Sequence, residues 1–299
     1  MAASPQLDEV IGTIRTWVAN AQSRGTIEGL RVAYEELASA FPLAADIKTE
    51  RVAIGQVAAE WIAAPGVADD RVLLFLRGGG YIMGSMGTHR EVISRLSRAA
   101  GVRALGLDYR LAPENPFPAA LEDAVAAYRW LLSNGVSPDK IVIVGDSSGG
   151  GLTVATLVAL RYLGEPLPAA GVCISAWTDL TQTAESLTTK AGVDPFLQRE
   201  VLELMAGLYL GARDRRTPLA SPLYSDLQGL PPLLLMVGSS ETLLDDSTRL
   251  ADRANAAGVD ATLEVWDDMI HDWPVFASAL PEGQQAIERI GVFIREHTS

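Results

Sequence analysis

The chain has 299 residues, 48% of them hydrophobic and 20% charged, with a formal net charge of −13. That balance excludes disorder and leaves room for a sizeable core, in one large α/β domain or two small ones. With 24 basic residues against 37 acidic ones and no Lys/Arg block, the electrostatic footprint for phosphate backbones or anionic lipid is missing, so nucleic acid and membrane surfaces are not expected partners.

The first forty residues read as two helices, with Val10, Ile11, Ile14, Trp17 and Val18 on one face and Leu30, Tyr34, Leu37 and Phe41 on another. Asp8, Glu9 and Arg15 interrupt this stretch, so it lacks the continuous apolar run of a signal peptide. No apolar run approaches the ~20 residues of a spanning helix, and a soluble cytoplasmic protein is expected. Next, 48–54 and 58–63 read as paired strands. Short β-rich runs at 72–76, 102–107, 140–144, 170–175, 232–237 and 261–266 then alternate with helical patterns near 89–100, 118–133, 150–163, 244–257 and 282–296. The runs are apolar on both faces, as strands of a mostly parallel sheet flanked by helices are, and two plus six make about eight strands. The interval from 176 to 230 breaks the rhythm: it carries a helical pattern at 198–210 and no strand, and loops that long usually serve as lids or caps. No linker or repeat divides the chain, so 1–299 reads as a single domain. The lone Cys173 lies in the apolar run 171–175, where it reads as core filler. One cysteine permits neither an intrachain disulfide nor a cysteine-rich zinc site, and no metal is expected.

Gly145-Asp-Ser-Ser-Gly149 matches G-x-S-x-G. The four apolar residues 141–144 run into it as a strand, and 150–160 runs out of it as a helix, which is the setting of a nucleophile elbow. The outer glycines suit a turn so tight that flanking side chains would collide, and Ser147 takes the apex. A glycine-rich βα turn that binds phosphate, or does no chemistry, is the alternative. A serine hydroxyl needs a base, and there are only three histidines. His297 is next to the C-terminus and His89, upstream of the elbow, is better placed to cap or pack. His271 follows the run 262–266, at the same sheet edge as the elbow, and is the candidate base.

A carboxylate must orient that imidazole, and hydrolases on such sheets supply it between Ser and His, just after a strand. Glu241 is nearest the strand end. Asp245 is the alternative, although it and Asp246 stand where a helix begins and have capping roles open to them. Asp267, Asp268 and Asp272 are too close to His271 in the chain and are expected to shape its loop. For the oxyanion, Arg77-Gly-Gly-Gly80 follows the strand 72–76, and the amides of Gly79, Gly80 and Ser148 are the candidate donors. A merely flexible turn is the alternative there. Tyr81, Ile82, Met83, Trp177, Phe196, Leu204, Met205, Leu208 and Trp273 are candidates for an apolar substrate pocket or for plain core.

Four separated stretches carry a resemblance: 77–84 (RGGGYIMG), 108–114 (DYRLAPE), 145–150 (GDSSGG), and Glu241 to His271 with its ending WDDMIH. Together they are similar to the hormone-sensitive-lipase family of α/β-hydrolases, bacterial carboxylesterases with a helical cap. The resemblance spans nearly the whole chain. It implies an α/β-hydrolase fold, a cap built from about 1–45 and about 178–215, and hydrolysis of short acyl esters through an acyl-enzyme, with no cofactor. It also implies a homodimer through the sheet edge near 261–266, and the use of Glu as triad acid by some members supports Glu241. Arg77 departs from the family pattern, which has His there to hold the glycine loop. If Arg77 only braces that loop, Arg77→His should raise kcat. If its guanidinium points into the pocket, it should attract a substrate carboxylate.

The reading is therefore a serine carboxylesterase with Ser147, His271 and Glu241 as nucleophile, base and acid. A related lactone, amide or carbamate hydrolase shares the same chemistry, and a non-catalytic ligand-binding protein on this fold is the rival from another class.

Overall fold

The computed structural model describes residues 4–298. Two helices come first, α1 (Pro5–Arg24) and α2 (Ile27–Ser39), and the strands β1 (Lys48–Ile54), β2 (Val57–Ala63) and β3 (Ala68–Leu76) follow. After α3 (Met86–Ala100), β4 (Val102–Asp108) and α4 (Ala119–Ser133) come β5 (Ile141–Asp146), α5 (Ser148–Tyr162) and β6 (Ala170–Ile174). The interval after β6 holds a single turn of helix, α6 (Ser186–Thr189), and α7 (Arg199–Leu210), with no strand among its residues. The chain closes with β7 (Leu233–Gly238), α8 (Leu244–Ala256), β8 (Ala261–Trp266) and α9 (Pro281–His297).

The eight strands form one sheet in the order β1-β2-β4-β3-β5-β6-β7-β8. Pairing is antiparallel for β1 with β2 and for β2 with β4, and parallel from β4 through β8. Two apolar layers cover it. Leu74, Leu76, Ile141, Ile143, Leu233 and Leu235 face the layer containing α4 and α5, whereas Leu73, Phe75, Val142, Val144, Leu234 and Met236 face α3 and α9. Because successive side chains of a strand point to opposite faces, burial on both faces gives the unbroken apolar runs seen in the sequence. Strands β1 and β8 are the sheet edges, and β8 alternates buried with exposed residues, Val265 among the latter.

The register aligns the carboxyl ends that matter: Leu76 pairs with Gly145, Gly145 with Cys173, and Gly238 with Trp266. Every candidate site residue therefore leaves the sheet along one edge. Above that edge, the Trp17 ring of α1 lies 5.1 Å from that of Phe196, and its Nε1 donates to the Ala33 carbonyl of α2 at 2.8 Å. From α2, Arg31 donates to the carbonyls of Ile82 (2.8 Å) and Ala112 (3.0 Å), which docks the helix on the loop that follows β3. Among the described residues no helix is long and apolar enough to cross a membrane.

Candidate active site

Strand β5 ends at Asp146, and the next residue turns through a left-handed conformation, φ 50° and ψ −121°, before α5 begins. A non-glycine residue held there is strained, and the surroundings impose it. The Ser147 amide donates to Ile174 O (2.8 Å), and its carbonyl accepts from the Trp177 amide (2.9 Å). A Cβ at Gly145 would collide with the Gly149 carbonyl, and one at Gly149 with the Leu76 carbonyl, so the sheet and helix meet only because both positions are glycine. The turn thus lifts the Ser147 hydroxyl off the sheet edge.

His271 meets that hydroxyl. Its Nε2 lies 3.1 Å from Ser147 Oγ and its Nδ1 2.7 Å from Glu241 Oε2. The other oxygen of Glu241 accepts from the Gly238 amide (2.7 Å) and the Ser175 hydroxyl (3.0 Å), so the carboxylate is fixed at both ends. All three side chains are buried. Burial pushes the Glu241 carboxyl up, against the pull of His271 and the Gly238 amide. Burial works to strip the imidazole of its proton, but the carboxylates of Asp272 and Glu241 outweigh it and hold His271 well above its ordinary value. Asp245 does not reach the histidine: it accepts from the Ser186 amide (2.8 Å) at the start of α8. Asp246 accepts from the amides of Thr178 (2.7 Å) and Asp179 (2.8 Å), and burial pushes its carboxyl up to about 7.

The glycine loop faces the same hydroxyl. Gly79 and Gly80 have φ of 113° and 59°, and the amides of Gly79, Gly80 and Ser148 donate to no acceptor among the described residues. Three free N–H groups on a loop and a helix start beside a nucleophile are what an oxyanion would meet. Asp146 ties this loop to the elbow, accepting from the Gly78 amide (2.9 Å) and lying 3.1 Å from His89 Nε2. His89 is thereby packed, as its position before the elbow implied.

Arg77 is buried and turned away from Ser147. It donates to the carbonyls of Met83 (3.1 Å) and Tyr109 (2.9 Å), lies 3.0 Å from Asp108, and stacks 4.2 Å over the Tyr109 ring. The same loop is closed by the amides of Ile82 and Met83, which donate to Gly79 O at 3.1 and 3.0 Å. This guanidinium braces the loop and has no side facing a substrate carboxylate.

Around Ser147 and His271 the cavity is lined by Tyr34, Met83, Trp177, Phe196, Leu197, Leu202, Met205 and Asp272, with Gly79 and Gly80 as its floor. Met83, Trp177, Phe196 and Met205 stand where the sequence placed them. Four pocket candidates do not line it, and Leu204 is exposed as well. Tyr81 stacks on Tyr209 at 3.8 Å, below the cavity, and Ile82 is buried in the core beside it. Leu208 packs half-buried on the outer turn of α7, and Trp273 turns into the opposite layer, 5.6 Å from Trp266. Sequence reasoning missed Tyr34, Leu197, Leu202 and Asp272. Of these only Asp272 left a signal, its place beside His271, and it is more than a loop former: its Oδ2 lies 3.1 Å from His271 Nε2.

Residues 73–275 match the family described as the alpha/beta hydrolase fold. A solved esterase of the bacterial hormone-sensitive lipase family superposes with a TM-score of 0.98 at 60% identity, over 100% of both chains. This chain belongs to the hormone-sensitive-lipase family of α/β-hydrolases. Among curated relatives, an acetyl-hydrolase of Streptomyces hygroscopicus is 46% identical over 99% of this chain and 98% of its own. A putative acetyl-hydrolase of Mycobacterium tuberculosis is 35% identical over 93% of this chain and 90% of its own. In this hydrolase the eight-stranded, mostly parallel sheet is thus the one its family uses.

Proposed function

We propose that the protein is a serine carboxylesterase that cleaves short acyl esters through an acyl-enzyme. The observation that carries the reading is the continuous chain from Ser147 Oγ through His271 to Glu241, with contacts of 3.1 and 2.7 Å. Ser147 Oγ attacks the ester carbonyl while its proton passes to His271 Nε2. Glu241 holds the proton on Nδ1 and stabilises the imidazolium. The amides of Gly79, Gly80 and Ser148 receive the developing oxyanion. His271 then protonates the leaving alcohol, and water, activated by the same imidazole, releases the acid.

The buried carboxylates of Asp146, Glu241 and Asp272 beside this turn speak against the phosphate-binding alternative. A cavity of about 20 Å³ under Phe196 and Tyr34 favours small acyl groups. Residues 1–45 and 178–215 form its cap, through Trp17, Tyr34, Phe196 and Met205. The β8 edge is the surface through which two copies pair, since an unpaired strand seeks a partner.

The test is Ser147→Ala with a p-nitrophenyl ester and a fluorophosphonate label. Hydrolysis and labelling should both vanish while the far-ultraviolet spectrum is kept. Near-parental turnover in Ser147→Ala, with loss in Ser148→Ala, would show the elbow to be misread.

A further inference from the structure

His271 Nε2 has two partners at one distance: Ser147 Oγ at 3.1 Å and Asp272 Oδ2 at 3.1 Å. A neutral Nε2 has one lone pair, and a carboxylate can only accept, so the contact with Asp272 is attractive only when a proton lies between the two atoms. Nδ1 cannot supply it, being engaged with Glu241 at 2.7 Å. We propose that Asp272 is a positioning residue that retains this proton on Nε2, so that His271 can accept the Ser147 proton only after it has left to solvent. The inference rests on the reading of Ser147 as nucleophile.

The placement of Asp272 is built in. Its backbone is left-handed at φ 53°, and its amide donates to Ser175 Oγ (3.1 Å), the hydroxyl that in turn donates to Glu241 (3.0 Å). One small network therefore fixes both carboxylates flanking the imidazole. Asp272 Oδ1 is buried without a partner, so no other donor draws the side chain away from His271.

The surroundings supply negative charge and no cation. Glu241 faces the imidazole from the loop after β7, and Asp146 acts on Asp272 from the end of β5. Asp194 of the segment before α7 acts on Glu241, while Tyr34 of α2 lines the cavity and feels both Asp146 and Asp272. From α3, His89 is engaged by Asp146, and Glu91 lines an adjoining cavity that Asp272, Tyr34 and Phe196 also border. No Lys or Arg lines either cavity. Burial pushes the Asp272 carboxyl up against the opposing pull of His271, in keeping with a proton held tightly by the pair.

Whether that proton resides on the imidazole or the carboxyl, it occupies the Nε2 lone pair. Its loss leaves a neutral imidazole facing the Ser147 hydroxyl. The sign follows: activity rises with pH as the proton departs, and removing the Asp272 charge moves that rise to lower pH. Asp272→Asn and Asp272→Gly both suit a left-handed backbone. An opposite charge within ~4–6 Å shifts a pKa by about 1–3 units, so the acid limb of kcat/KM should move down by that amount in both variants, and the ratio of kcat/KM at about pH 6 to that at about pH 9 should rise at least ~10-fold. Acid limbs coinciding with the parent's would overturn the proposal. Nitrogen-15 NMR of the parental protein decides it without any variant: His271 Nε2, or the Asp272 carboxyl bonded to it, should hold its proton at neutral pH, and a bare Nε2 paired with an ionised Asp272 there refutes the idea. Because the NMR reads the proton and not turnover, a protein that hydrolyses no ester yet shows the shift would sink the esterase reading alone.

Discussion

Replacing Arg77 by Met keeps a long apolar stem and removes every donor. The carbonyls of Met83 and Tyr109, which accept from it at 3.1 and 2.9 Å, are then left in the interior. An orphaned buried acceptor costs about 1–3 kcal/mol, so the pair amounts to about 2–6 kcal/mol. Asp108 adds little, because its side chain is 35% exposed and water replaces the guanidinium there. For a protein of this size each kcal/mol moves the thermal midpoint by ~2 °C, which gives a fall of about 4–12 °C. The kinetic consequence follows from where Met83 sits: its amide closes the turn on Gly79 O at 3.0 Å, so a loosened Met83 lets the Gly79 and Gly80 amides drift. Loss of one oxyanion donor typically lowers turnover ~10²–10³-fold, and kcat on p-nitrophenyl acetate should fall toward that range with KM changing less. An imidazole has two ring nitrogens against five guanidinium N–H donors, so Arg77→His should also lose stability and turnover, the reverse of what the sequence suggested. A parental melting midpoint and parental kcat in Arg77→Met would refute the bracing argument.

Glu241→Gln should lower kcat by ~10³–10⁴, since an amide neither fixes the tautomer nor stabilises the imidazolium. Asp245→Asn should cost far less, because its carboxylate accepts from Ser186 and not from His271; steady-state kinetics showing the opposite ranking would move the acid to Asp245. Across a p-nitrophenyl series, kcat/KM should peak among acyl chains of roughly C2 to C8 and collapse beyond, and efficient cleavage of emulsified long-chain triglyceride would contradict the enclosed cavity. Light scattering should give twice the 31.8 kDa chain mass, and Val265→Lys on β8 should return it to the monomer value; a parental monomer at micromolar concentration counts against edge pairing.

How much of this was legible in the sequence depended on how local the cause was. Strand β5 and the elbow announced themselves because burial on both faces makes residues 141–144 uniformly apolar, and because the collision of any Cβ with neighbouring backbone demands Gly145 and Gly149. Strand β3 was read short at its start, since Ala68, Asp69 and Asp70 extend beyond the buried part and carry no apolar signature. The choice of Glu241 over Asp245 followed from its distance to a strand end, a quantity the sequence contains. Cavity membership is different. Tyr34 and Leu202 show only that a helix has an apolar face, and nothing in α2 or α7 says that the face lies over Ser147. Trp273 misled for the same reason: adjacency to His271 does not say on which side of the loop a side chain falls. Asp272 was discounted by chain proximity, yet a left-handed residue reverses the local direction enough to bring its carboxylate back onto its neighbour's ring.

The packing of the N-terminal helices also has a consequence for how the protein is made. Phe41 meets Phe276 at 5.6 Å, Trp17 meets Phe196 at 5.1 Å, and Ser4 bonds Glu282 through both its amide (2.7 Å) and its hydroxyl (2.8 Å). The first residues to leave the ribosome thus close against some of the last. At ~5–20 residues per second, the apolar side of α1 and α2 waits roughly 10–50 s for Phe276 to be synthesised. Throughout that interval the helices that will roof the cavity have no native surface to cover, and the sheet that supports it is still incomplete.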